Sequence, residues 1–154
     1  MTKFYDTSSL LLKANNLFEE NERFTISSIT LEELENIKTS SNKDFDVKYN
    51  ARKLLRSLDE NIGKYDVILY KDEYLEELSA FGFSITNDYK ILVSAFQIDD
   101  EVIFITNDLC LKHIAKMFFQ KVESISENYD DDYDGYKEVQ MSESEMAYFY
   151  ENID

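Results

Sequence analysis

The tripeptide Thr-Asn-Asp occurs twice, at Thr86, Asn87, Asp88 and again at Thr106, Asn107, Asp108, and each copy opens a segment whose apolar residues recur at helical spacing. Two more carboxylates stand at similar junctions. Asp6 directly follows Phe4 and Tyr5 and leads into Thr7–Leu12, and Glu33 comes just after the run Phe24 to Leu31. A hard divalent cation needs several oxygen ligands, and the loops at the carboxyl edge of a parallel sheet gather sequence-distant residues in one place. Four acids at strand ends and helix starts therefore point to a metal site. Taken alone, three of the four have a plainer explanation, whereas Asp6, directly after an apolar strand, is harder to dismiss. Asp88 and Asp108 suit a helix cap or first turn, where the helix dipole favours a negative charge, and Glu33, among Glu32 and Glu35, suits a solvated helix face.

The elements that must position these acids alternate along the chain. β-branched or aromatic runs at residues 3–5, 24–29, 67–70 and 102–106, with a fifth at 122–125, predict strands, and residues 31–39, 44–61, 73–80, 88–96 and 109–119 predict helices. That alternation implies an α/β fold with a parallel sheet covered by helices. There is no proline, and Gly63 and Gly82 fall where helices should stop. No glycine-rich phosphate loop exists, so neither a P-loop nor a dinucleotide fingerprint is present.

A chain of 154 residues with 44% hydrophobic and 14% aromatic content has a real core and suits one folded domain. No apolar run approaches the roughly 20 residues of a membrane span, and the first residues lack the basic and apolar regions of a signal peptide; the expectation is a cytoplasmic protein with no membrane partner. Cys110 alone permits no internal disulfide, and it reads as a core residue. The net charge of -16 opposes a nucleic-acid partner until its distribution is seen. Residues 127–154 hold ten acids and one lysine, and four of the remaining acids are the candidate ligands.

The motifs also carry a resemblance. Phe4-Tyr5-Asp6-Thr7-Ser8-Ser9-Leu10-Leu11, then Ile29-Thr30-Leu31-Glu32-Glu33-Leu34, then Asp88 followed by Ile91 and Ala95, then Ile105-Thr106-Asn107-Asp108 resemble the ordered motifs of PIN-domain nucleases. The resemblance covers roughly residues 1–125 as a nuclease domain and leaves 126–154 as an acidic tail or linker with room for a short terminal helix. Within that tail, Tyr133 to Val139 is similar to the connector ahead of a PhoH-like ATPase domain, which makes such an ATPase a candidate partner. The resemblance implies a three-layer α/β/α sandwich with a central parallel sheet of four to five strands. It also implies cleavage of single-stranded RNA with one or two Mg²⁺ or Mn²⁺ ions, in which metal-activated water leaves a 5′-phosphate and a 3′-hydroxyl. It assigns Asp6, Glu33, Asp88 and Asp108 as catalytic and metal-holding, with Glu33 preferred to Glu32 because it directly precedes Leu34. Thr7, Ser8, Thr106 and Asn107 would support them; Ser8 stands where the family more often has asparagine.

Two further features fall outside the motifs. Lys48, Arg52 and Arg56 recur every four residues and form one stripe on a helix, with Tyr49 and Lys53 nearby. This is either a phosphate clamp for single-stranded RNA or a solvated face paired with Asp59 and Glu60. His113, the only histidine, suits a packed or surface position better than a ligand. The competing function is a catalytically silent interaction or oligomerisation module, acting on a fused or partner ATPase or as a homo-oligomer. Receiver domains and haloacid-dehalogenase-like phosphatases need acids near the start that Asp6-Thr7-Ser8 does not supply.

Overall fold

The computed structural model describes residues 1–79, 81–82 and 85–126. Its strands are β1 (Thr2–Tyr5), β2 (Phe24–Ser27), β3 (Tyr65–Ile68), β4 (Val102–Ile105) and β5 (Lys121–Glu123), and its helices are α1 (Thr7–Leu12), α2 (Ser28–Thr39), α3 (Phe45–Glu60), α4 (Glu76–Ser79), α5 (Asn87–Phe96) and α6 (Leu109–Ala115). All pairings are parallel, in the order β3-β2-β1-β4-β5. The three-layer α/β/α sandwich expected from the sequence is the fold that forms, with the fifth strand present.

Side chains alternate across a strand, and this sorts the core into two layers. Phe4 and Phe104 stack at 5.6 Å on one face, against Ile91, Leu92 and Ala95 of α5 and Leu111 and Ala115 of α6. Tyr5 and Ile105 turn to the other face with Phe24 and Ile26, where Leu10, Leu34, Ala51, Leu54 and Leu58 of α1, α2 and α3 cover them. Strands buried on both faces read as continuous apolar runs, as β4 does, whereas β2, buried at all four positions, places Thr25 and Ser27 between its apolar residues.

The chain steps outward from β1 to β2 to β3, then crosses back to β4 on the far side of β1. The topological switch therefore lies between β1 and β4, and open parallel sheets bind ligands outside the carboxyl ends of the strands that flank such a switch. The register pairs Tyr5 with Ile105, so Asp6 and Thr106 leave the sheet side by side.

Several boundaries differ from the sequence expectation. β2 stops at Ser27 instead of residue 29, because the Ser27 hydroxyl accepts the Ile29 N–H at 3.1 Å and caps α2. β3 runs over Tyr65–Ile68 and not 67–70, since the Tyr70 N–H goes to the Ser28 hydroxyl at 2.9 Å and not to a strand neighbour. The segment expected as one helix over 73–80 is a 3₁₀ turn (Asp72–Leu75) followed by α4, and Ala80 lies outside the described residues. α6 ends at Ala115, after which the chain tightens so that Phe118 and Phe119 pack on Phe96. Gly63 and Gly82 take φ of +98° and +73°, the left-handed geometry expected where helices stop. The tail from residue 127 lies outside the described residues. Among the described residues no helix is long and apolar enough to cross a membrane.

Candidate metal centre

Asp6 is the residue at which β1 becomes α1. It is buried, and its Oδ1 caps the helix by accepting the Ser9 N–H at 2.9 Å and the Ser9 hydroxyl at 2.7 Å. The Ser8 hydroxyl lies 3.2 Å from both carboxylate oxygens, and the Thr106 hydroxyl donates to Oδ2. Burial pushes the Asp6 carboxyl above its usual range, and the hydrogen bonds from Thr106, Ser9 and Ser8 offset only part of that rise. Four donors on one carboxylate fix its orientation.

Glu33 is reached from a different direction. Capping at Ser27 starts α2 at the carboxyl edge and brings Glu33 against the starts of α1 and α5. Its Oε1 accepts from the Thr7 hydroxyl at 2.5 Å and its Oε2 from the Asn87 amide at 3.1 Å. The neighbouring Glu32 is exposed. Thr7 Oγ1 is also 3.0 Å from the buried Thr30 hydroxyl.

The two Thr-Asn-Asp copies are used two positions out of phase. In the first, Thr86 is the cap, accepting the Tyr89 N–H at 3.4 Å, and Asp88 sits in the first turn of α5. In the second, Asp108 is itself the cap, its Oδ1 accepting the Leu111 N–H at 3.0 Å, while the buried Thr106 accepts the Asp108 N–H at 3.0 Å. Among the described residues the Asp88 carboxylate accepts no hydrogen bond, and Asp108 accepts only the one. Asp88 is exposed, yet its pKa is pushed up to about 6, first by the water that surrounding protein displaces and then by the negative charges of Asp108, Glu33 and Asp6. Asp108, Glu33 and Asp6 thus all act on Asp88 at the switch point.

A family model described as a PIN domain matches residues 4–126. The chain belongs to the PIN-domain family. No curated protein and no solved structure matches it. PIN domains are in general divalent-metal-dependent nucleases, most often acting on RNA, so the family places a nuclease and a nucleic-acid partner here in coarse terms.

The donor set of this PIN domain fits such an ion chemically: four carboxylates, oxygen donors only, of which Asp88 and Asp108 keep oxygens that no group among the described residues occupies. Among the described residues no group of three or more acids, histidines or cysteines closes to the spacing of a formed ion cage.

The supporting residues divide. Thr7, Ser8 and Thr106 bond the acids directly. Asn107 does not; its amide instead brackets the backbone of Ile125, donating to the carbonyl at 3.0 Å and accepting the N–H at 2.8 Å, which ties the Asp108 loop to the exit of β5. Ser9 was not singled out from sequence, and its only signal is its place three residues after a capping aspartate. Asn87 joins the site through Glu33. Cys110 is exposed, not a core residue, because the buried stripe of α6 is Leu111 and Ala115 and position 110 faces outward. His113 is exposed. Lys48, Arg52 and Arg56 lie on α3 outside the acid cluster, and none of them pairs with Asp59 or Glu60.

Proposed function

We propose that this PIN domain is an endoribonuclease that hydrolyses single-stranded RNA, with Asp6, Glu33, Asp88 and Asp108 as the residues that would hold Mg²⁺ or Mn²⁺. The observation that supports it is the convergence of all four acids on the carboxyl edge between β1 and β4, expressed in the raised pKa of Asp88. Asp6, gripped by four donors, is the fixed member, and Thr106 couples it to Asp108 by bonding both. Thr7 and Asn87 orient Glu33 from two helices. Asp88 and Asp108 contribute the oxygens left free. A divalent ion bound there supplies a water of lowered pKa and positive charge against the phosphate. One histidine in the chain leaves no imidazole pair for attack by a 2′-hydroxyl, so the expected ends are a 5′-phosphate and a 3′-hydroxyl. The silent interaction-module reading, with or without a PhoH-like partner, has no observation of its own among the described residues.

The test is incubation of purified protein with an unstructured oligoribonucleotide in Mn²⁺ or Mg²⁺, followed by analysis of product ends. Internal cuts bearing 5′-phosphates, abolished by chelator, are expected. Cuts that persist in chelator, or that leave 2′,3′-cyclic phosphates, contradict the proposal.

A further inference from the structure

The outward face of α3 is built of residues that folding does not require. Its buried residues are Ala51, Leu54 and Leu58. Phe45, Tyr49, Arg52 and Arg56 follow i, i+4, i+7, i+11 spacing, and at about 100° per residue they form a line pointing nearly straight away from that buried stripe. Phe45 is 71% exposed and Tyr49 49%. Their rings nonetheless stack on each other, centroids 6.3 Å apart with planes at 24°, and the Arg52 guanidinium lies over the Phe45 ring at 5.9 Å. Lys48 flanks this line on one side. On the other, Lys53 is held by the Asn15 side chain at 2.6 Å.

Charge singles out the occupant. Residues 47–58 contain four cations and no acid, in a chain of net charge -16. Among the described residues none of the four forms an ion pair. Solvent-facing rings interleaved with unpaired cations match a single-stranded nucleic acid, whose bases stack on aromatic faces while its phosphates meet Lys and Arg.

α3 ends at the amino edge of the sheet, where Tyr65, the first residue of β3, donates its hydroxyl to the Leu58 carbonyl at 2.9 Å. α2 begins at the carboxyl edge, and the short linker 40–44 folds α3 back along it as a helical hairpin. The start of α3, with Phe45 and Tyr49, is the end of the helix opposite the Tyr65–Leu58 contact.

We propose that the Phe45, Tyr49, Arg52, Arg56 face of α3 is a binding platform for single-stranded RNA, taking unpaired bases on the two rings and adjoining phosphates on Lys48, Arg52 and Arg56. The choice of RNA rests on the nuclease reading; the platform itself uses none of the four acids. The chain has no tryptophan, so Phe45→Trp and Tyr49→Trp each give a single fluorescent reporter at the patch. In chelator, an unstructured oligoribonucleotide should quench the emission of both, and the same sequence annealed into a duplex should not. By anisotropy, Phe45→Ala and Tyr49→Ala should each weaken binding roughly tenfold, with unchanged melting because both rings are solvent-facing. Arg52→Glu and Arg56→Glu should each reduce the log-log salt slope by about 0.7. Absence of quenching together with unchanged affinity in the alanine variants overturns the platform. So does equal quenching by duplex, or a dimer that Phe45→Ala dissolves in the absence of RNA. The outcomes separate cleanly from the nuclease reading: a protein that quenches but does not cut in Mn²⁺ keeps the platform and loses the nuclease, and one that cuts without quenching does the reverse.

Discussion

Asp88 makes the crowding of acids measurable without substrate or metal. Its carboxyl has a pKa of about 6 in the folded protein against an ordinary 3.8, so it holds a proton more tightly when folded than when unfolded. Protonated Asp88 is tolerated; the charged form costs stability, and that cost accumulates as pH rises from about 4 to about 6 and is complete above. Counted in full, the interval corresponds to roughly 3 kcal/mol. Asp88 is exposed, and solvent screening reduces the expected effect to about 1 kcal/mol, or about 3 °C in melting temperature for a domain of this size. Asp88→Asn replaces the carboxylate with a neutral group of the same shape. In chelator at about pH 7.5 it should melt about 3 °C above the wild type, and near pH 5, where much of the wild-type Asp88 carries its proton, the gain should fall to about half. Comparison of the two proteins at each pH cancels the titration of acids too distant to interact with Asp88. A variant that melts at or below the wild type at the higher pH, or whose advantage does not shrink at the lower, refutes the claim that lost hydration and the charges of Asp108, Glu33 and Asp6 together raise the pKa of this residue.

Asp6→Asn should act in the opposite direction: it turns one of two oxygens facing four donors into a donor, and thermal melting of the apo protein should report a loss of about 1–2 kcal/mol. An equally stable variant would deny Asp6 its hydrogen-bonded role. Glu33→Gln should remove most cleavage of single-stranded RNA, whereas Glu32→Gln, on an exposed side chain, should retain it; equal losses in the two rate measurements would show that the wrong glutamate has been chosen. Asn107→Ala removes both bonds to the Ile125 backbone and should cost about 1–2 kcal/mol, with hydrogen exchange quickening at Ile125 itself; unchanged protection there would sink the tethering role.

The layers and the positions of three of the acids were legible because they are punctuation: Asp6 after Phe4-Tyr5, and Asp88 and Asp108 each at the start of an apolar period; Glu33 lies inside α2 and was marked only by its place before Leu34. Short-range signals blurred wherever a hydroxyl settled the outcome. Ile29 and Thr30 look like more of β2, and only the Ser27 side chain turning to the Ile29 N–H makes them helix. The two Thr-Asn-Asp copies are identical as text, yet Thr106 is drawn under Asp6 by the β1–β4 register while Thr86 is left on the surface, so one copy caps with its threonine and the other with its aspartate. Thr30 could not be singled out because its partner, Thr7, comes from a distant part of the chain, and Ser9 carried only the spacing from Asp6 as a signal, its second partner, the Ile105 carbonyl, being distant too. Cys110 shows the limit of composition: cysteine is a commonly buried residue, but one position from Leu111 on a helix is enough to turn it to solvent.

The central claim is that Asp6, Glu33, Asp88 and Asp108 form one divalent-cation site. A titration of the metal-free protein with Mn²⁺, followed by electron paramagnetic resonance and repeated on a variant carrying both Asp88→Asn and Asp108→Asn, tests it most directly. The account predicts saturable binding that Mg²⁺ displaces, a stabilisation of about 2.7 kcal/mol when the free ion reaches about 100 times its dissociation constant, and loss of both in the double variant. Wild-type protein that binds no Mn²⁺ saturably at millimolar concentration, or a double variant that binds it as tightly as the wild type, contradicts it.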